Sequence, residues 1–184
     1  MTQALVVMDV QNGIVARVPD QAAALLDILE GTLDAAHRHD VAVIFVRVAF
    51  RPGAPEVSSR NLAFSGFAAS PNFDESAAAT QIHPRLARRE TDLVVTKRRV
   101  SAFAGSDLDV VLRSLDVDHL VLCGISTSGV VLSTTRQAAD LDYRLTVLAD
   151  ACADADPEVH RVLTQKVFPR QAAVRSAEQW IADL

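Results

Sequence analysis

The chain has 184 residues, of which 49% are hydrophobic and 22% charged, with a formal net charge of −5 at pH 7. This apolar fraction excludes a disordered chain, and the length predicts a single domain over 1–184. Apolar runs are shorter than the ~18 residues of a membrane span, and the excess of acidic residues argues against nucleic-acid binding. Two cysteines and the lack of an N-terminal export pattern predict a cytoplasmic protein.

Apolar runs of strand length alternate with stretches of helical period, which is typical of a parallel sheet covered on both faces. The first part of the chain predicts a strand over 4–8, a helix over 20–39 and a strand over 41–48. Residues 49–90 contain four of the seven prolines and no sustained period, which indicates a long functional loop or lid. The remainder predicts strands over 92–96, 118–123, 143–149 and 172–175, and helices over 106–115, 129–140, 157–168 and 177–182. Together these elements predict an α/β fold, a three-layer α/β/α sandwich with a Rossmann-like, six-stranded parallel sheet.

Two charged residues end predicted strands, at the edge where open parallel sheets bind ligands. Asp9 ends the first strand, and Lys97 ends the third; the chain has sixteen arginines but only two lysines, Lys97 and Lys166. A carboxylate beside an ammonium in a shared crevice forms an acid–base unit. A structural salt bridge, or an aspartate that caps a turn, would place the same residues there.

The segment from Cys123 to Val130 joins a predicted strand to a helix through a turn rich in Gly and hydroxyl residues. Such a turn directs backbone N–H groups towards an anion or a developing oxyanion. The alternative is an ordinary strand-to-helix turn with Ser128 as the N-cap. Neither a G-x-G-x-x-G fingerprint nor a Walker A motif occurs, so no nucleotide cofactor is expected.

Metal and Ser-His-Asp chemistry have little support in the sequence. The histidines have no ligand spacing apart from His37 and His39, at a predicted solvent-facing helix end, and Cys123 and Cys152 fit no zinc pattern. Cys123 is interpreted as a small buried hydrophobe. No G-x-S-x-G elbow occurs. We therefore expect no metal and no cofactor, and a small-molecule substrate as the partner.

Four segments, LVVMDVQNG, LVVTKRRVSAFAGSDLDVVLR, VLCGISTSGVVLSTTRQAADLDYRLTVLADACADAD and FPRQAAV, occur in this order. Together they resemble the isochorismatase-like hydrolase superfamily, which includes nicotinamidases, N-carbamoyl-amino-acid amidohydrolases and isochorismatases. The resemblance covers essentially the whole chain. It implies a six-stranded Rossmann-like sheet and a homodimer or homotetramer.

The resemblance also implies catalytic residues. The amidase members use an Asp, a Lys and a Cys, and Asp9 and Lys97 match the first two. The Gly-x-x-Thr-x-x-Cys pattern, counted from Gly124 and Thr127, places the nucleophile position at Val130, which has no lone pair to offer. Isochorismatases also lack the cysteine and use the Asp to protonate a vinyl ether before water attacks, although they usually carry glycine at that position.

Further site residues follow from the resemblance alone. Gln11 matches a polar residue that the family commonly keeps two positions after the Asp. The turn amides of Ser126 and Val130 match the oxyanion-hole donors, and the family's non-proline cis peptide would fall at Ile125-Ser126.

Family members that bind a metal supply Asp and His after the second strand, where this chain has Phe50 and Arg51. Metal dependence is therefore not expected. Arg51 is instead a candidate anchor for a carboxylate or phosphate, with Arg98 or Arg99 as alternatives and a solvated loop arginine as the plain interpretation. Phenylalanines around these loops are candidates for an aromatic lining or for core and interface packing: Phe50, Phe64, Phe67, Phe73 and Phe103.

Three functional hypotheses follow. The first is a cysteine-independent hydrolase that acts on a small anionic metabolite through Asp9 and Lys97. The second is a non-catalytic small-molecule-binding or scaffold protein, motivated by Val130. The third keeps amide hydrolysis through one of the hydroxyls in the turn at 126–128.

Overall fold

The computed structural model describes residues 2–68 and 70–184, without the side chains of residues 67, 68 and 71. Its strands are β1 (Gln3–Met8), β2 (Ala42–Val48), β3 (Leu93–Lys97), β4 (His119–Ile125), β5 (Arg144–Ala153) and β6 (Ala173–Arg175). Its α-helices are α1 (Asn12–Val15), α2 (Pro19–Arg38), α3 (Ser65–Ala68), α4 (Leu108–Ser114), α5 (Leu132–Asp140), α6 (Pro157–Val162) and α7 (Ala177–Ile181).

The six strands form one parallel sheet in the order β3-β2-β1-β4-β5-β6. Chain order proceeds outwards from β1 to one edge and then from β4 to the other, so the strand order reverses between β1 and β4. The right-handed crossover rule places the helices that connect β1 to β2 and β4 to β5 on opposite faces, while the C-terminal helix α7 packs against α2. The predicted six-stranded α/β fold is confirmed.

The central strands are apolar almost throughout, as burial on both faces requires, whereas the edge strands β3 and β6 are partly exposed. Five of the six residues of β1 and six of the seven of β4 are buried. Helix α2 begins with Pro19, a favoured first helical residue. One of its faces, which includes Leu25, Leu29 and Leu33, is buried in the core.

Several predicted boundaries were wrong. Strand β4 continues through Gly124 to Ile125, whereas the sequence predicted its end at residue 123. Strand β5 continues to Ala153, four residues beyond the predicted end. A bulge in its pairing with β4 lets the strand pass polar Asp150, whose carboxylate accepts the Ala177 N–H at 2.8 Å.

The helices predicted over 129–140 and 157–168 are each partly π-helical or 3₁₀. A π-helical turn at Thr127–Val131 precedes α5, and α6 ends at Val162 before a π-helical turn at Leu163–Val167 and a 3₁₀ turn at Phe168–Arg170. The segment predicted as an irregular loop contains α3 and two 3₁₀ turns, Pro71–Phe73 and Ala78–Thr80. These short turns carry no periodic apolar pattern in the sequence.

Candidate functional site

A cavity of about 380 Å³ lies at the carboxyl ends of the strands, beyond the reversal between β1 and β4. Open α/β sheets bind ligands at this position. The strand ends and the turns that follow them contribute Asp9, Val48, Lys97, Val100, Ile125, Ser126, Ser128, Gly129, Val130, Asp154 and Ala155. Loops and short helices contribute Ile14, Arg17, Val18, Ala63, Phe64 and Phe73.

Asp9 and Lys97 form a buried ion pair in the cavity wall. The Lys97 Nζ lies 2.8 Å from the Asp9 Oδ2, and the two side chains are 2% and 7% exposed. The Lys97 ammonium also donates to the Arg99 carbonyl at 3.0 Å. The other Asp9 oxygen, Oδ1, is buried and has no hydrogen-bond partner within the described part of the chain. The predicted pairing of these residues is therefore present.

Burial raises the pKa of the Asp9 carboxyl above its usual value of 3.8, because desolvation disfavours the charged form. The attraction and hydrogen bond of Lys97 act in the opposite direction and offset this effect only in part. Since Oδ2 accepts from Lys97, the proton of the neutral acid belongs on Oδ1. The carboxyl is thus suited to donate a proton.

The turn after β4 is fixed by close backbone packing. Gly124 has φ +129°, and a Cβ at this position would lie 1.9 Å from the Met8 carbonyl oxygen, so only glycine fits. The peptide bond between Ile125 and Ser126 is cis, as the resemblance implied. The Ser126 Oγ accepts the Gly129 N–H at 3.1 Å, so Ser126, not Ser128, is the N-cap.

Val130 is 2% exposed and lines the cavity beside this turn. Its apolar side chain offers no nucleophile. Among the nearby hydroxyls, Thr127 is buried, is not among the lining residues of the cavity, and is hydrogen-bonded to His160 Nδ1 at 2.8 Å. The Ser126 hydroxyl acts as the helix cap, which leaves Ser128 as the turn hydroxyl without an assigned role.

Two charged residues of the cavity were missed by sequence reasoning. Asp154 lies one residue beyond β5, and its Oδ2 accepts the Ser128 N–H at 2.7 Å. It escaped notice because β5 was predicted to end at residue 149. Arg17 follows the short helix α1, and its guanidinium lies 5.8 Å from the centre of the Phe73 ring. Arg17 is exposed. Sequence reasoning missed it because it lies neither at a predicted strand end nor in a recognised motif.

Gln11 and Phe50, which the resemblance and the loop position suggested as substrate-binding residues, are not among the lining residues of this cavity. Gln11 is 1% exposed; its amide donates to the Val48 and Thr80 carbonyls, at 2.9 and 2.7 Å, and accepts the Val48 N–H. It therefore ties β2 to the segment that follows it. Phe50 is buried and packs edge-to-face on Phe64, with ring centres 5.7 Å apart. Both residues support the wall.

Arg51, the predicted anion anchor, lies outside the cavity. It is 62% exposed in its side chain and pairs with Glu56 at 3.6 Å. Arg98 pairs with Glu56 and Glu75, and Arg99 donates to the Glu56 carbonyl. These arginines line a separate open groove beside β3. Glutamates pair with Arg51 and Arg98, backbone carbonyls bind Arg99, and none of the three arginines lines the cavity.

Among the predicted aromatic lining residues, Phe64 and Phe73 contact the cavity. Phe103 is buried in the main core beside Tyr143, and the side chain of Phe67 lies outside the described residues. Burial raises the pKa of the Cys123 thiol well above its usual value and that of Cys152 to about 12. Neither thiol lines the cavity.

Within residues 2–68 and 70–184, no three His, Cys, Asp or Glu side chains come together as a metal-binding group. The same residues contain no helix with the length and apolar character needed to cross a membrane.

The doubly wound parallel sheet, with a cavity beyond the reversal of its strand order, has the architecture of the α/β proteins that bind ligands at this position. The Isochorismatase domain matches residues 3–179. The chain belongs to the isochorismatase family. It is 33% identical to the uncharacterized isochorismatase family protein YwoC of Bacillus subtilis, an alignment that covers 97% of this chain and 92% of YwoC.

Other relatives carry different functional names. The ureidoacrylate amidohydrolase RutB of Stutzerimonas stutzeri is 29% identical over 98% of this chain and 79% of its own length. A probable inactive nicotinamidase of Arabidopsis thaliana is 29% identical over 85% of this chain and 83% of its own. An isochorismatase family protein from Burkholderia thailandensis superposes with a TM-score of 0.84 at 30% identity, covering 98% of this chain and 94% of that one.

Proposed function

We propose that this protein is a hydrolase of a small anionic metabolite that uses the acid–base chemistry of Asp9 and Lys97 without a cysteine nucleophile. The observation that carries the proposal is the state of the Asp9 carboxyl. It is buried in the cavity wall, its Oδ2 is held by Lys97, and its Oδ1 has no protein partner in the described structure. A carboxyl group in this state can donate a proton to a bound substrate.

The chemistry that fits such an acid is the hydrolysis of a vinyl ether. The Asp9 Oδ1 proton adds to the terminal vinyl carbon, and the cation that forms beside the ether oxygen takes up water. The ammonium of Lys97 has one N–H beyond those given to Asp9 and Arg99, which can hold a substrate oxygen. Arg17 adds a cation for a substrate carboxylate. We therefore propose 1-carboxyvinyl ethers of small alcohols as the test substrates.

Amide hydrolysis, the activity in the name of the RutB relative, has less support from the residues of this cavity. A covalent route needs an activated nucleophile, and Val130 has none. The hydroxyls of Ser126 and Thr127 have structural roles as a helix cap and as a partner of His160. The Ser128 hydroxyl would have to replace a thiolate.

A binding protein without activity is the second candidate. The apolar Val130 in the cavity favours it, as does the relative described as a probable inactive nicotinamidase. Such a protein would bind the same small carboxylates and leave them unchanged. A buried ion pair is costly to desolvate and gives a binding protein no clear advantage over apolar residues. We therefore rank this candidate second.

The test compares the wild type with Asp9→Asn on 1-carboxyvinyl ethers in D₂O, with pyruvate followed by ¹H NMR. We expect the wild type to form pyruvate with one deuterium in the methyl group, because the added proton comes from a solvent-exchanged acid. Asp9→Asn should lower kcat by roughly 10²–10⁴-fold, since an amide cannot act as the acid. Asp92→Asn is the matched control, because Asp92 is a buried acid paired with His37 away from the cavity.

Wild-type activity in Asp9→Asn would reject the proposed acid. Binding of the ethers in a thermal-shift assay without any pyruvate would favour the second candidate. Formation of an acyl-enzyme on Ser128 with an amide substrate would instead favour amide hydrolysis.

A further inference from the structure

We propose that Asp154 is the general base that activates the attacking water in the cavity that Asp9 also lines. This inference rests on the proposed function, which supplies the acid but leaves the water without a base. Both residues line the same cavity, and each is the first residue after a strand of the sheet. No role for Asp154 follows from the family motifs in the sequence.

The sheet sets the separation of the two backbones that carry these acids. Asp9 follows β1 and Asp154 follows β5, with β4 between them. Met8 pairs with Gly124, and Ile125 pairs with Ala153, so both acids emerge at the same edge of the sheet. Two strand spacings place their backbones about 10 Å apart.

Asp154 is held in place and still has acceptor capacity. Its Oδ2 accepts the Ser128 N–H at 2.7 Å, and its Oδ1 accepts the Asp156 N–H at 3.3 Å. Its carbonyl accepts the Gln21 amide at 2.8 Å, and the residue is 5% exposed. A carboxylate has about four lone-pair sites, so two remain for a water in the cavity. Val130 lies in the turn after β4 and has no nucleophilic atom that could attack the substrate in place of this water.

The reaction balances with these two acids. Asp9 gives its proton to the vinyl CH₂, which leaves a cation at the carbon bonded to the ether oxygen. The water oxygen bonds to that carbon as one water proton passes to the Asp154 carboxylate. The resulting hemiketal loses its hydroxyl proton to the Asp9 carboxylate and forms the ketone, while Asp154 returns its proton to the departing alcohol oxygen. Both side chains end in their starting states, and one water is consumed.

Asp154→Asn keeps an oxygen acceptor for the Ser128 N–H at 2.7 Å, loses the longer contact with the Asp156 N–H at 3.3 Å, and cannot take the water proton, so the exchange measurement below is needed to separate this role from a structural one. In D₂O with a 1-carboxyvinyl ether, we expect kcat to fall by at least roughly 10²-fold. The cation should then revert, so the vinyl CH₂ of unreacted ether should gain deuterium faster than pyruvate forms. Asp156→Asn removes the same charge two residues away, is outside the cavity lining, and should behave as the wild type.

Each result has a defined meaning. If Asp154→Asn hydrolyses the ether at the wild-type rate, Asp154 is not the general base. If the variant loses hydrolysis and its vinyl CH₂ does not exchange, Asp154 is also not the base, and it is then a positioning residue for the Ser128 turn. Asp154→Ser, with a smaller acceptor, serves for the same exchange measurement if the Asn variant does not fold. A wild type that neither exchanges nor hydrolyses the ether, or an Asp9→Asn variant that does both, would reject the proposed function itself. If Asp9→Asn is inactive and Asp154→Asn is fully active, the role of Asp154 as base is rejected and the proposed function is kept.

Discussion

The floor and the mouth of the cavity are built by different means. The floor, defined as Asp9, Lys97 and Val130, is buried and comes from strand ends and the turn after β4. The mouth includes Arg17 and Ala63, which are exposed and lie in segments outside the sheet. The floor can therefore perturb a pKa by desolvation, whereas charge at the mouth is screened by solvent and serves recognition.

The largest expected effect on stability comes from Lys97→Met, which removes the partner of Asp9 in the floor. Without the Lys97 ammonium nothing offsets the desolvation of the Asp9 carboxylate, so ionising Asp9 in the folded state becomes more costly and the free energy of unfolding near neutral pH should fall by about 3–5 kcal/mol. Burial already raises the Asp9 pKa above its unfolded value. At a pH below the ordinary Asp pKa of 3.8, Asp9 is neutral in the folded and the unfolded protein, so the variant should be about as stable as the wild type. As the pH rises above that value, the variant should lose stability relative to the wild type. Urea unfolding at acid and neutral pH measures the difference.

Lys166→Met is the matched control, since Lys166 is the other lysine of the chain and is exposed. It should unfold as the wild type does at each pH. If Lys97→Met lowers the free energy of unfolding by the same amount at acid and at neutral pH, ionisation of Asp9 is not the cause of the lost stability.

The contrast between floor and mouth also explains how far the sequence could predict the site. Asp9 and Lys97 end apolar runs, and parallel strands bring their carboxyl ends to one edge, so local patterns were enough to bring these residues together. Asp154 was missed because a bulge carries β5 past polar Asp150, and a sequence pattern does not reveal a bulge.

Residues outside the sheet were predicted less well. Arg51 lies three residues after the end of β2, yet its side chain pairs with Glu56 outside the cavity. Gln11 lies two residues after Asp9, but its amide is used by the backbone of Val48 and Thr80. These orientations depend on partners 5 to 69 residues away, and no local period encodes them.

An intermediate effect is expected at the mouth, from Arg17→Met. Loss of the guanidinium should raise KM for a 1-carboxyvinyl ether by roughly 2–5-fold with little change in kcat, because an exposed charge pair contributes at most about 1 kcal/mol and binds substrate and transition state alike. The effect should shrink as salt is added. Arg51→Met is the matched control, because it removes an exposed arginine from the neighbouring groove. Equal effects of the two variants would show that general surface charge, and not the position of Arg17, attracts the substrate.

The smallest change in stability is expected from Val130→Cys, which alters the chemistry of the floor while keeping its packing. The side chains are close in size, so the free energy of unfolding should change by less than about 1.5 kcal/mol. The new thiol would share a cavity with the Lys97 ammonium, which favours the reactive thiolate. Native protein should then take up one iodoacetamide per chain by mass spectrometry, while Cys123 and Cys152 stay protected by burial. Val131→Cys, one residue on, buried and absent from the cavity lining, should remain unlabelled. Equal labelling of the two variants would mean that the turn opens in solution, and the floor would then lack the rigidity that separates it from the mouth.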